Sequence, residues 1–153
     1  MNSDSVGQII ERLTADLGWV LPVAATLIAI WCLALLGAGI LTGWRRLASL
    51  YPALPFHGQR ILPGWVIVRW LGYRNLLVFR AGESHLHIKL WLRLGHPPFS
   101  VPWEDIRAQR RSTLGRRNVI LTFAREPRVT FNIYGTIAKR LAVASGGKLQ
   151  IPD

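Results

Sequence analysis

The chain has 153 residues, half of them hydrophobic and only 18% charged, with 19 Lys+Arg against 8 Asp+Glu and a formal net charge of +11. The apolar content and the 10% aromatics exclude a disordered chain, and a single cysteine excludes both a disulfide framework and a cysteine-built zinc site. About one domain of ordinary size fits this length, and a mean hydropathy of +0.25 is high for a small soluble one. What remains is a membrane protein with a basic binding domain.

Residues 1–16 carry Asp4, Glu11 and Asp16 against Arg12. Val6, Ile9, Ile10, Leu13 and Leu17 recur at spacings of three and four, and Ser3, Asp4 and Ser5 are candidate N-caps. The pattern predicts a short amphipathic extracytoplasmic helix, read as an extension of the element that follows. From Leu17 to Trp44 no charged residue occurs. About 20 apolar residues cross the hydrocarbon core, so 17–44 is expected to be a transmembrane helix. Trp19 and Trp44 are expected in the two headgroup zones, with Pro22 in the first turn and Cys32 a small packing residue. A cleaved signal peptide, with its basic start and short apolar core, does not fit. Every Lys and Arg but Arg12 follows the span, beginning with Arg45 and Arg46, which places the N-terminus outside and the remainder in the cytoplasm. Gly39 and Gly43 form a GxxxG, a candidate packing face for a homodimer.

Residues 45–63, punctuated by Pro52, Pro55, Gly58 and Pro63, read as an irregular juxtamembrane linker. From residue 64 the period becomes that of strands. Trp65–Trp70, Asn75–Arg80 and His85–Trp91 are expected strands, the last with one wet face. Phe99–Trp103 is short and extended, with Pro102 barring a central ladder position. Ile106–Ser112, Asn118–Phe123 and Arg128–Ile133 follow as strands. Thr113-Leu114-Gly115-Arg116 forms a hairpin loop between the first two, and Arg125-Glu126-Pro127 a turn before the last. A helix begins near Thr136, with Ile137, Leu141 and Ala144 on one face, and stops at Gly146-Gly147. The fold class is α+β: an N-terminal transmembrane helix, then a small antiparallel β-sandwich or barrel over 64–153 with a C-terminal helix.

The element Val101-Pro102-Trp103-Glu104-Asp105-Ile106, the hairpin and the terminal helix together resemble the bacterial pleckstrin-homology-like domains. The likeness runs from Leu86 through His96-Pro97-Pro98 to the helix near Leu141. The chain is also similar to small bacterial single-pass membrane proteins that place a Gly43-Trp44-Arg45-Arg46-Leu47-Ala48 sequence after the span and a His96-Pro97-Pro98 to Pro102-Trp103 motif later. The resemblance implies the PH-like fold and a binding role; the span and its flanks lead to the expectation of a bacterial inner (plasma) membrane protein. It implies no reaction and no ligand residues.

Basic charge is the largest chemical signal. Arg107, Arg110, Arg111, Arg116, Arg117, Arg125 and Arg128 stand in one stretch against Glu126 alone. The first five are the candidate contact with an anionic ligand or membrane surface, since a basic residue near an anionic leaflet gains about 1 kcal/mol and a guanidinium binds phosphate oxygens in bidentate fashion. A solvated positive face, enforced by membrane topology alone, explains the same density. Nucleic acid is not expected, because the aromatics sit in apolar strands and no recognition motif occurs. Glu83, His85 and His87 alternate on one strand face, but the wet side of a hairpin with Lys89 beside them accounts for them without a metal. His96 is expected to hydrogen-bond a loop, and Trp103 to be a packed anchor.

Catalytic signatures are absent: the sequence has no GxSxG, P-loop, GxGxxG or HExxH. Ser84 and His85, adjacent on a strand, are expected to face opposite ways. No catalytic residue, metal or cofactor is expected. The function expected is a non-catalytic membrane-anchored module that docks on membrane lipids with anionic headgroups or on an acidic protein partner. The alternative is a structural subunit of a larger inner-membrane complex assembled through the transmembrane helix.

Overall fold

In a computed structural model the described residues are 3–92, 94–113 and 116–152, with side chains described over 18–92, 94–112 and 117–152. The side chains of the expected leading helix, residues 114 and 115 of the expected hairpin loop, and the Arg116 side chain therefore lie outside the described set. The chain divides into two compact units, Met1–Leu35 and Leu36–Asp153.

Helix α1 runs from Ser3 to Leu41, so the leading segment and the apolar run are one continuous element. Its 24 residues from Gly18 to Leu41 are long and apolar enough to cross a bilayer, and most of their side chains are exposed, with Ala38 and Gly39 near the end of the helix buried. Pro22 lies well inside the helix, not in a first turn as expected. Proline has no N–H to donate to the preceding turn. Its own carbonyl accepts the Thr26 hydroxyl at 2.8 Å.

In the second unit α1 stops at Leu41. Gly43, at φ 78°, takes the left-handed conformation that glycine adopts without strain, and the chain turns into α2, Trp44–Leu50. Residues 45–63, expected to be irregular, thus hold this short helix and strand β1, Gln59–Ile61. Leu47, Tyr51 and Ile61 of that stretch are core residues. Apolar side chains spaced by three and four make the segment amphipathic; prolines punctuate only its middle.

Two antiparallel sheets enclose the core. One orders β1, β4 (Leu77–Ala81), β5 (His85–Leu90) and β6 (Phe99–Pro102). Pro102 sits on its edge strand, where a missing N–H is tolerated. The other orders β3 (Leu71–Arg74), β2 (Trp65–Val68), β9 (Glu126–Tyr134), β8 (Arg116–Phe123) and β7 (Ile106–Thr113). Strand β3 was not expected. The chain reverses after Val68 through Arg69 at φ 55°, and leaves β3 through Asn75 at φ 54°. Glu126 and Pro127 open β9 instead of forming a turn, with a register shift opposite them at Thr122/Phe123 that spares Pro127 a ladder bond.

The inward residues of the two sheets meet in one core. Phe99 of β6 packs edge-on against Phe123 of β8 and Phe131 of β9, with ring centroids 6.4 and 6.3 Å apart. A single helical turn, Trp103–Asp105, seats Trp103 in that core, its indole N–H on the Gly82 carbonyl at 2.9 Å. Helix α3, Gly135–Ala144, buries Ile137, Ala138 and Leu141 against the sheets and leaves Lys139 and Arg140 outside.

Trp44 is the largest correction to the sequence reading. It does not stand in a headgroup zone: it is 0% exposed, in the center of the core. The Gly43 turn swings it inward, where it stacks on Phe131, meets Phe99 and His96 edge-on and donates from Nε1 to the Pro97 carbonyl at 2.8 Å. Helix α2 is tied down again at the β8–β9 turn. Arg46 pairs with the buried carboxylate of Glu126, and Arg125 reaches both the Leu50 carbonyl and Asp105 at 3.2 Å.

Candidate functional site

Strand β7 divides the arginine cluster. Successive side chains of a strand point to opposite faces, so Arg107, Gln109 and Arg111 share one side while Ala108, Arg110 and Ser112 share the other. Pairing with β8 sets Arg110 opposite Val119, Arg111 opposite Asn118 and Ser112 opposite Arg117. Directly paired residues project to the same side. Arg110 and Arg117 therefore lie on the side of the hairpin that continues the core, just beyond where its apolar filling ends.

Helix α3 closes the other wall. It opens at Gly135, where the chain passes so close to β8 that a Cβ would meet the Arg117 carbonyl oxygen at 2.9 Å. Between hairpin and helix runs a groove of about 780 Å³. Arg110, Arg111, Arg117 and Lys139 line it together with Ser112 and Thr136, and no carboxylate is among its described lining residues. Tyr134, Asn118, Val119 and Ile151 complete the walls. The first turn of α3 has no acidic residue and no side-chain cap, so its exposed amide end adds positive potential beside Thr136. Asn118 Oδ1 is buried with no partner among the described residues. Arg110, Arg117 and Lys139, the Ser112 and Thr136 hydroxyls and an uncapped helix start bordering one concavity form an anion-binding arrangement.

Of the five arginines singled out by density, the groove brings Arg110 and Arg117 together, and Arg111 borders it from the other strand face. Arg107 is exposed on strand β7 but does not line it, and the Arg116 side chain is outside the described residues. Lys139, Thr136, Ser112 and Asn118 were missed. Lys139 and Thr136 are three apart on α3 and so share a helix face, a signal visible in the sequence but without meaning until the hairpin is placed opposite.

Gly39 and Gly43 both act within the chain. A Cβ on Gly39 would run into the Gly95 carbonyl, and one on Gly43 would collide with Val129. Close packing and a left-handed turn account for the pair without a second copy.

His96 hydrogen-bonds a loop as expected. Its Nδ1 donates to the Leu94 carbonyl at 2.7 Å, which leaves Nε2 to accept the Tyr73 hydroxyl at 2.9 Å. Burial holds its pKa below the ordinary histidine value, against a smaller opposing effect of the Leu94 carbonyl. Burial likewise raises the Tyr73 hydroxyl.

His87 departs from the expected wet face. The segment after α2 crosses that side of the sheet and covers it. Leu54 N–H donates to Ser100 Oγ at 2.9 Å, Ser100 Oγ lies 2.8 Å from His87 Nδ1, and the Phe56 ring packs on the imidazole. Burial, then the charges of His85, His57 and Arg80, lower the pKa of His87. No group of three metal-ligating side chains occurs among the described residues.

Ser84 and His85 do not face apart. Ser84 precedes β5 and is free of its alternation, so its Oγ lies 2.7 Å from His85 Nδ1. A nucleophile–base pair also needs a third group to orient the base and a concavity for substrate. This pair is exposed and does not line the groove between the hairpin and α3.

No protein-family model matches the chain, and no curated protein matches it.

Proposed function

We propose that the chain is a single-pass, membrane-anchored binding module that holds an acidic segment of a protein partner in the groove between the β7–β8 hairpin and α3. One observation carries this reading: Arg110, Arg117 and Lys139 line the groove, and among its described lining residues none is a carboxylate. Membrane crossing by α1 is supported by the uncharged run from Gly18 to Leu41, most of whose side chains are exposed. The crowding of Lys and Arg after that run supports an N-terminus outside and a cytoplasmic β domain at a bacterial inner membrane. Two antiparallel sheets with a terminal helix support a pleckstrin-homology-like sandwich.

A protein partner is favored over lipid headgroups of the anchoring leaflet. Thr130 of β9 accepts the Arg69 N–H, and Arg69 in turn reaches the end of α1 at Leu41. Tyr134 of the groove lies four residues farther along the same strand, roughly 13 Å away at about 3.3 Å per residue. Assembly through α1 alone, as a structural subunit, has less support, since Gly39 and Gly43 are engaged within the chain.

The test uses the full chain in nanodiscs of neutral phosphatidylcholine, titrated with fluorescent polyglutamate. Binding that weakens as salt rises, and that is lost in an Arg110→Ser, Arg117→Ser, Lys139→Ser variant, is the expected result. No polyglutamate binding, with the groove cations instead needed for capture of anionic vesicles, would replace the protein partner by lipid.

A further inference from the structure

The last part of the apolar helix, from Leu36 to Leu41, belongs to the same compact unit as the β domain. Two loops of that domain touch it. Gly95, at φ 66°, lies so close that a Cβ on it would meet Leu36 Cα at 2.9 Å, and its carbonyl fills the space beside Gly39. Arg69, held at φ 55° in the β2–β3 turn, donates from Nη1 to the Leu41 carbonyl at 3.1 Å. A left-handed arginine is strained by about 1 kcal/mol, and a cation on the last carbonyls of a helix offsets this. Leu36 is five residues before the end of the helix, about 7.5 Å along its axis at 1.5 Å per residue.

Beside these contacts stand the large apolar side chains that the core leaves out. Trp70, next to Arg69, is 62% exposed; Trp91, which starts the loop leading to Gly95, is 74% exposed; Leu94 is 37% exposed. Two indoles and a leucine on loops that grip an apolar helix would be a liability in water. Indoles concentrate at the headgroup level of membranes, and apolar groups of interfacial segments bury about 5–10 Å into the headgroup–acyl boundary. That depth matches the level of Leu36 below the helix end. A guanidinium such as that of Arg69 suits the same zone, its stem in the apolar layer and its head among phosphates.

We propose that Trp70, Trp91 and Leu94 form a membrane-seating rim: the two loops insert into the interfacial zone of the leaflet that α1 enters, and the β domain is seated on the bilayer instead of swinging on a tether. The occupant of this surface is the phospholipid interface, argued from its continuity with the apolar helix. The proposal rests on the reading of α1 as a membrane span. It supplies the two interfacial tryptophans that Trp44, buried in the core, does not.

The test reads depth in the full chain. In a Cys32→Ser background, single cysteines replace Trp70, Trp91 or Leu94, with Leu27→Cys and Leu41→Cys in the apolar helix and Ser112→Cys at the groove as references. Each is labeled with an environment-sensitive fluorophore and reconstituted in phosphatidylcholine vesicles carrying spin-labeled lipid. The expected result is quenching at positions 70, 91 and 94 by a spin label near the headgroup, to the extent seen at 41, with none at 112. Unquenched probes at 70, 91 and 94, together with quenching at 27 by a spin label deep in the acyl chain, would overturn the rim and leave the span intact. An unquenched probe at 27 would refute the span, and the rim with it. Blue-shifted but unquenched probes at 70 and 91 would assign the surface to protein and likewise overturn the proposal.

Discussion

Replacing Trp44 by alanine tests whether the segment after α1 is core or linker. The indole is wholly buried, donates to the Pro97 carbonyl at 2.8 Å and has four aromatic neighbors with centroids 5.1 to 6.1 Å away. Truncating such a side chain costs about 3–5 kcal/mol, because the cavity collapses only in part. Domains of this kind have about 5–15 kcal/mol in all, so the loss is a large fraction. Trp44→Phe keeps most of the ring but leaves the Pro97 carbonyl unpaired, a smaller loss of about 1–3 kcal/mol. Urea unfolding of the full chain in a fixed detergent, followed by far-UV circular dichroism, reads both as shifts of midpoint at unchanged slope. A loss under about 1 kcal/mol for Trp44→Ala would match an exposed indole and refute its place in the core.

Three further outcomes follow from the same geometry. Gly39→Ala forces a methyl against the Gly95 carbonyl and should destabilize the β domain by about 1–3 kcal/mol. Gly37→Ala, with nothing within 4 Å, should be neutral or slightly stabilizing, as alanine is the better helix former by about 0.5–1 kcal/mol; equal effects in the urea assay would contradict the close approach. Burial first, and then its cationic neighbors, depress the pKa of His87, so the folded state binds fewer protons than the unfolded one. Its contribution is complete above the unfolded histidine value of about 6.5 and is lost as pH falls below that toward the folded pKa. His87→Gln should therefore flatten the loss of stability between about pH 7 and pH 5, leaving a residue from His96, which burial shifts the same way. An unchanged pH profile would show that the imidazole is solvated.

The strands are most legible where a two-residue period runs unbroken, as in His85–Leu90 and Val119–Phe123, because the face turned to the apolar core dictates that period, even where the other face is covered as at His87. Strand β3 is hidden in the sequence because its entry and exit rest on Arg69 and Asn75, residues whose left-handed conformation is imposed by tertiary contacts. Trp44 looks interfacial only if the apolar run ends there. A single left-handed glycine moves it from membrane edge to core. The groove is half legible. Arginine density points to the hairpin, but density is counted along a line and a strand sorts its residues onto two faces. Lys139 and Thr136, more than 15 residues on, join the site only once α3 lies across the hairpin. Ser84 and His85 show the converse: strand alternation does not govern a residue that lies before the strand begins.

Whether the groove, and not the total charge, would hold the proposed acidic partner is decided by a charge-matched comparison. Arg110, Arg117 and Lys139 line the groove, whereas Arg60, Arg74 and Arg128 are exposed and do not line it. Each set is replaced by serine in the full chain, and polyglutamate affinity is measured in neutral nanodiscs at several salt concentrations. The expected result is loss of binding and of its salt dependence in the groove variant, with the equally discharged control close to the wild type. Equal losses in the two variants would contradict the account, leaving the positive charge as a consequence of membrane topology alone.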